Sequence, residues 1–130
     1  ALIGISNIDD AEKRILRESG IKYFTMRDID EKGMFHVMRE AIAHASEGTA
    51  GIHVSFDIDA IDPRYAPGVS TAVSGGLTLR EAHLCLEMLF ETKKLVSMDL
   101  VELNPVNDVS AQSANLVVDL ILSALGKSIV

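Results

Sequence analysis

Short apolar runs alternate with helix-patterned segments along the chain, and this alternation limits the fold more than any other feature. Leu2–Ile5 reads as a strand. Asp9 or Asp10 then caps a helix that Gly20 stops, and Ile21–Thr25 reads as a second strand. Met34, Val37, Met38, Ala41, Ile42 and Ala45 recur at helical spacing, with Gly48 closing that helix. Ile52–Ile58 is a third strand. Thr78-Leu79-Arg80-Glu81 spells a capping box whose helix runs to about Glu91. Leu95–Leu103 is a fourth strand, and a last helix runs from about Ser110 to Leu125, closed by Gly126. Such alternation predicts an α/β fold, with a mainly parallel sheet between two helical layers.

The chain has 130 residues, enough for one domain with a sizeable core. Its net charge of -7 argues against non-specific nucleic-acid binding, which needs a basic face. No apolar run is long enough to cross a bilayer. Cys85 is the only cysteine, which excludes an intrachain disulfide and a cysteine-based zinc site. It reads as a core thiol in a helix, and a reducing, cytoplasmic compartment is expected. The chain opens at Ala1, without Met, and runs directly into a strand, so its start reads as a cut in a longer protein.

In parallel sheets, ligands bind beyond the carboxyl ends of the strands. The third strand ends in Ser55-Phe56-Asp57-Ile58-Asp59, followed by Asp62-Pro63, and the fourth in Val101-Glu102-Leu103-Asn104-Pro105. All three prolines lie in the loops behind these strands, where they stiffen the backbone. On a strand, Asp57 and Asp59 would share a face and repel, and a divalent cation between them would relieve the repulsion. Hard oxygen donors suit Mg²⁺ or Mn²⁺, with imidazole favouring the latter. Two aspartates at this spacing also occur by accident, and Asp59 and Asp62 could equally be turn residues. Glu102 could face water or present a carboxylate to a cation. Asp99, of opposite parity on the same strand, reads as structural. None of the four histidines is a convincing ligand. His36, His44 and His83 lie on helices, and His53 lies at the wrong end of its strand.

The run His53–Pro63, continued by Ala66-Pro67-Gly68 and Gly75-Gly76-Leu77-Thr78-Leu79-Arg80-Glu81, resembles a metal motif of the ureohydrolase family, S-x-D-x-D-x-x-D-P. Ser97–Pro105 resembles the arginase strand that ends in the guanidinium-binding glutamate. The similarity extends over the chain and corresponds to the C-terminal part of an arginase, so residues 1–130 are expected to be part of a single ureohydrolase α/β domain, of arginase-like three-layer α/β/α type, whose N-terminal half is absent.

The resemblance implies two Mn²⁺ ions per active site in the full-length enzyme, with Asp57 bridging both and Asp59 binding one. It implies that Glu102 grips the substrate guanidinium, that Asp9 and Glu12 serve the pocket of the α-amino group, and that Thr71 stands beside the metal site. It also implies a homo-oligomer, trimer or hexamer, with Arg80 and Glu81 near the subunit interface. The implied reaction is hydrolysis of L-arginine to urea and ornithine. No residue of this chain is assigned a catalytic role of its own, because the family's other metal ligands, in G-G-D-H and D-A-H-x-D motifs, and its catalytic-loop histidine are not in this chain. The isolated chain is therefore expected to be inactive.

Two departures bear on the substrate. Ser6-Asn7 stands where many arginases have Arg-Asp, and Ser70-Thr71-Ala72 where the usual string is Gly-Thr-Pro. The alternatives are an agmatinase or another guanidino-compound amidinohydrolase and, in a different class, a non-catalytic truncated chain serving only as an interaction module.

Overall fold

The computed structural model describes residues 1–127, which divide into two compact units, the first Ala1–Thr49 and the second beginning at Ala50. In the first, β1 (Leu2–Ile5) and β2 (Tyr23–Thr25) pair in parallel, Leu2 with Tyr23 and Ile3 with Phe24. Helix α1 (Asp10–Ser19) connects them and ends at Gly20, whose φ of 68° only glycine adopts freely. The second strand is shorter than expected at its start, because Ile21 and Lys22 precede the ladder. A helix absent from the sequence reading, α2 (Met26–Lys32), follows at once. Thr25 and Asp28 form its capping box, and the hydrogen bonds from Thr25 hold the Asp28 carboxyl at a pKa of about 2. Helix α3 (Met34–Ser46) matches the helical spacing and ends at Glu47, one residue before Gly48. Phe24, Ile29, Met34, Val37 and Met38 form the core of this unit, each no more than 3% exposed.

In the second unit, β3 (Ile52–Asp57) and β4 (Leu95–Val101) pair in parallel, Val54 with Met98 and Asp57 with Val101. The expected α/β character and parallel pairing are borne out. The strands stand in two two-stranded sheets, one in each unit. Between β3 and β4 come a 3₁₀ turn (Ile58–Ala60), a long loop and α4 (Leu79–Glu91), which Thr78 and Glu81 cap reciprocally as expected. A 3₁₀ turn (Val109–Ala111) and α5 (Gln112–Ala124) follow β4. The last helix starts later than Ser110 because Ser110 and Ala111 sit in left-handed backbone, at φ 57° and 54°. Ile58, Leu86 and Leu120 are 0% exposed and form the centre of the core. Burying side chains of this size contributes roughly 1.5–3 kcal/mol each. No helix of the described residues is long and apolar enough to cross a membrane.

Candidate active site

Asp57 is the last residue of β3, and its carboxylate accepts the backbone N–H of Asp59 at 3.1 Å. That bond turns the chain out of the strand, and the buried Ile58 anchors the turn. Asp59 is thus not on the strand, and the alternation of strand side chains does not account for its placement beside Asp57. The local cap does. Burial pushes the Asp59 carboxyl up to about 6, aided by a hydrogen bond with Asp57 and by the charges of Asp57 and Glu102. Asp59 thus feels the charges of one carboxylate at the end of β3 and one beyond the end of β4.

The loop behind the turn closes on itself. Asp62 is only 3% exposed, and its Oδ1 accepts from Arg64 N–H at 3.0 Å and Arg64 Nε at 2.8 Å. Its Oδ2 accepts from Gly75 N–H at 2.9 Å. Asp62 N–H donates to the Leu77 carbonyl at 3.0 Å, and Leu77 N–H to the Ala60 carbonyl at 2.8 Å. Gly76 passes so close that a Cβ there would stand 2.6 Å from the Ala60 carbonyl oxygen. The guanidinium and backbone of Arg64, with Gly75, hold the Asp62 carboxyl well below the usual carboxylate range. Residues 63–76 form a loop with a tied neck directly behind Asp59, and Thr71 lies exposed on it.

Beyond β4, Glu102 sits in left-handed backbone at φ 64°, uncommon for any residue other than glycine. The expected strand ends two residues early, at Val101, and Leu103 instead makes an antiparallel bridge with Val69. Asp99 is exposed on β4 and stands 3.5 Å from His53 Nε2, while His53 Nδ1 faces Ser97 Oγ at 2.9 Å. These three residues share the exposed face of the pair and lie towards the opposite end from the carboxylates.

Asp9 and Glu12 belong to the first unit. Asp9 Oδ1 accepts from the backbone N–H groups of Ala11 and Glu12, at 2.7 and 2.9 Å, and Glu12 accepts from Asp9 N–H at 3.2 Å. Both carboxylates thus cap α1. Arg80 forks onto Glu87, with both bonds at 3.2 Å, and Glu81 accepts from Thr78.

Asp57 and Asp59 offer the hard anionic oxygens that Mn²⁺ or Mg²⁺ binds. Among the described residues, however, no group of three histidine, cysteine, aspartate or glutamate side chains is gathered to hold a metal ion. The donor set fits a share of a divalent-cation site and not a whole one. Asp62, Asn104 and Ser70 emerge as organising residues, a role the sequence reading did not give them beyond the turn reading of Asp62. Their only signals there were the Asp-Pro and Asn-Pro pairs behind the strands and the serine that departs from the usual string.

The model of the arginase family matches residues 1–126. The chain belongs to the arginase family. It is 46% identical to the arginase of Bacillus caldovelox over 98% of this chain and 43% of that protein. The solved structure of the Bacillus caldovelox arginase superposes with a TM-score of 0.96 over 99% of this chain. An Entamoeba histolytica arginase in complex with L-ornithine gives a TM-score of 0.88 at 32% identity, over 96% of this chain and 42% of that one. The agmatine ureohydrolase of Thermoplasma volcanium gives 0.81 at 25% identity, over 95% and 40%. This arginase-family chain therefore has the arginase-like α/β fold and spans about two fifths of the length of the relatives it matches.

Proposed function

We propose that this chain supplies the guanidinium-binding glutamate and two manganese-binding aspartates of an arginase that hydrolyses L-arginine to urea and ornithine. The observation that carries this reading is the placement of Asp57 and Asp59 side by side where β3 ends, with Glu102 just beyond the end of the paired parallel strand β4 in left-handed backbone. Asp57 and Asp59 would hold the ions, Asp57 bridging both. When bound, two Mn²⁺ ions supply a nucleophile at neutral pH by lowering the pKa of water. Glu102 would pair with the planar guanidinium through charge-assisted hydrogen bonds, fixing the carbon to be attacked. The family resemblance assigns Asp9 and Glu12 to the α-amino end of the substrate, a role compatible with their capping of α1. Thr71 would line the site from the tied loop.

The complete enzyme is read as a cytoplasmic homo-oligomer, trimer or hexamer, with Arg80 and Glu81 near its interface. Residues 1–130 are read as the C-terminal part of its single α/β domain. By itself the chain has too few ligands for a binuclear site. Isothermal titration should therefore find no pair of tight Mn²⁺ sites on the isolated polypeptide, and two such sites would overturn the partial-site reading. The function is tested by urea release from L-arginine and from agmatine by the manganese-loaded complete enzyme. Preference for arginine is expected, and preference for agmatine would transfer the chain to the sibling activity.

A further inference from the structure

Glu102 holds a left-handed φ of 64° without being glycine. Strain of this kind persists only where the surroundings over-determine the backbone, and two residues on, Asn104 is held on every side. Its N–H donates to the Gly68 carbonyl at 2.8 Å, and its own carbonyl accepts from Asn107 N–H at 3.1 Å. Its Oδ1 accepts from Val106 N–H at 3.0 Å, which forces Nδ2 toward Ser70, where it donates to Oγ at 3.0 Å. Backbone and side-chain groups of Asn104 alike are thus engaged, and two of these bonds cross to the loop behind β3.

That loop is a firm anchor. Gly68 N–H donates to the Oγ of Ser113, which is 0% exposed, at 2.7 Å. Asp108 accepts the N–H groups of Ser113 and Ala114, both at 2.8 Å. Asn107 Nδ2 reaches the Val69 carbonyl at 2.8 Å. The antiparallel bridge between Val69 and Leu103 ties the residue before Ser70 to the residue after Glu102.

We infer that Asn104 is a positioning residue that locks the Glu102 backbone to the Ser70–Thr71 loop, so that guanidinium affinity depends on the Asn104–Ser70 bond. This deepens the function proposed above and rests on it. Asn104 acts through Glu102 and is offered neither as a metal ligand nor as a contact of the substrate. In this chain the bond needs the Ser70 hydroxyl, so the serine at this position gives the loop a side-chain tie.

The test uses the complete manganese-loaded enzyme and the variants Asn104→Ala, Ser70→Ala, Ser70→Thr and the double alanine variant. Asn104→Ala is expected to raise KM for L-arginine by about tenfold, with kcat within about threefold and manganese content unchanged. Ser70→Ala should raise KM by about threefold, Ser70→Thr should restore it by keeping the hydroxyl, and the double variant should be no worse than Asn104→Ala. Multiplicative effects in the double variant, or a fall in manganese content, would overturn the inference. Amide hydrogen exchange at Gly68 and at residue 104, whose N–H groups donate to Ser113 Oγ and to the Gly68 carbonyl, judges it apart from activity in the same proteins. Exchange at least about tenfold faster in Asn104→Ala, with α4 unchanged, supports the lock, and unchanged exchange overturns it. An unsubstituted enzyme that released urea from neither arginine nor agmatine would sink the function reading, and the exchange result would still decide the lock.

Discussion

The backbone N–H of Asp59 donates to the carboxylate of Asp57 at 3.1 Å, setting two acids side by side where β3 gives way to a turn. Burial, aided by a side-chain hydrogen bond with Asp57 and by the charges of Asp57 and Glu102, pushes the Asp59 carboxyl up to about 6. An acid whose folded pKa lies above its unfolded value stabilises the fold below the unfolded value. That contribution disappears as pH rises through the folded one. In metal-free protein, the melting temperature should therefore fall between about pH 4 and pH 6, and Asp59→Asn should reduce this slope. A cation displaces the same proton, so Mn²⁺ affinity of the complete enzyme should strengthen as pH rises through this range. Thermal melts of both proteins across the window check the sign, and identical slopes would contradict the placement of the charge.

The tie at Ser113 should matter for stability. Replacing Ser113 by Ala removes the acceptor of Gly68 N–H in a fully buried place. An unpaired buried donor costs about 1–3 kcal/mol, which urea denaturation should register as a lower midpoint with unchanged slope. A change under about 0.5 kcal/mol would mean that Gly68 finds another acceptor.

Gly76→Ala should disrupt the neck of the loop. The added Cβ would stand 2.6 Å from the Ala60 carbonyl oxygen and 2.8 Å from Asp62 N, both backbone atoms that cannot swing aside. Limited proteolysis should cut residues 63–76 faster in this variant than in the parent, at equal protease and temperature. Equal rates would show that Asp62 alone closes the neck through Gly75 and Arg64.

Much of this organisation is legible in the sequence because it is local. The caps at Asp9, Thr78 and Gly20 are written in adjacent residues, and each stands where the pattern puts it. Helix α2 escaped because it buries only Ile29 and so shows no apolar stripe, although its Thr25 and Asp28 cap is spelled out. The apolar run carries the expected strand through Ile58, and only the cap from Asp57 reveals that the turn already begins there. The bracket of Asn104, Ser70 and Asn107 joins residues more than thirty positions apart through single hydrogen bonds. No periodicity announces such contacts.

Glu102→Gln preserves the shape of the side chain and removes the charge offered to the guanidinium. In the complete enzyme it should lower kcat/KM for L-arginine by an amount corresponding to roughly 2–5 kcal/mol, if the pair is desolvated. Steady-state kinetics would check this, and a loss below about tenfold would take Glu102 out of the guanidinium contact.

Manganese content by elemental analysis of three variants of the complete enzyme tests the central claim most directly. Asp57 is assigned to both ions, so Asp57→Asn should disrupt binding of both. Asp59→Asn should selectively weaken one, and Glu102→Gln should leave the manganese content nearly normal. A Glu102→Gln protein without manganese, beside an Asp57→Asn protein that keeps both ions, would contradict the account.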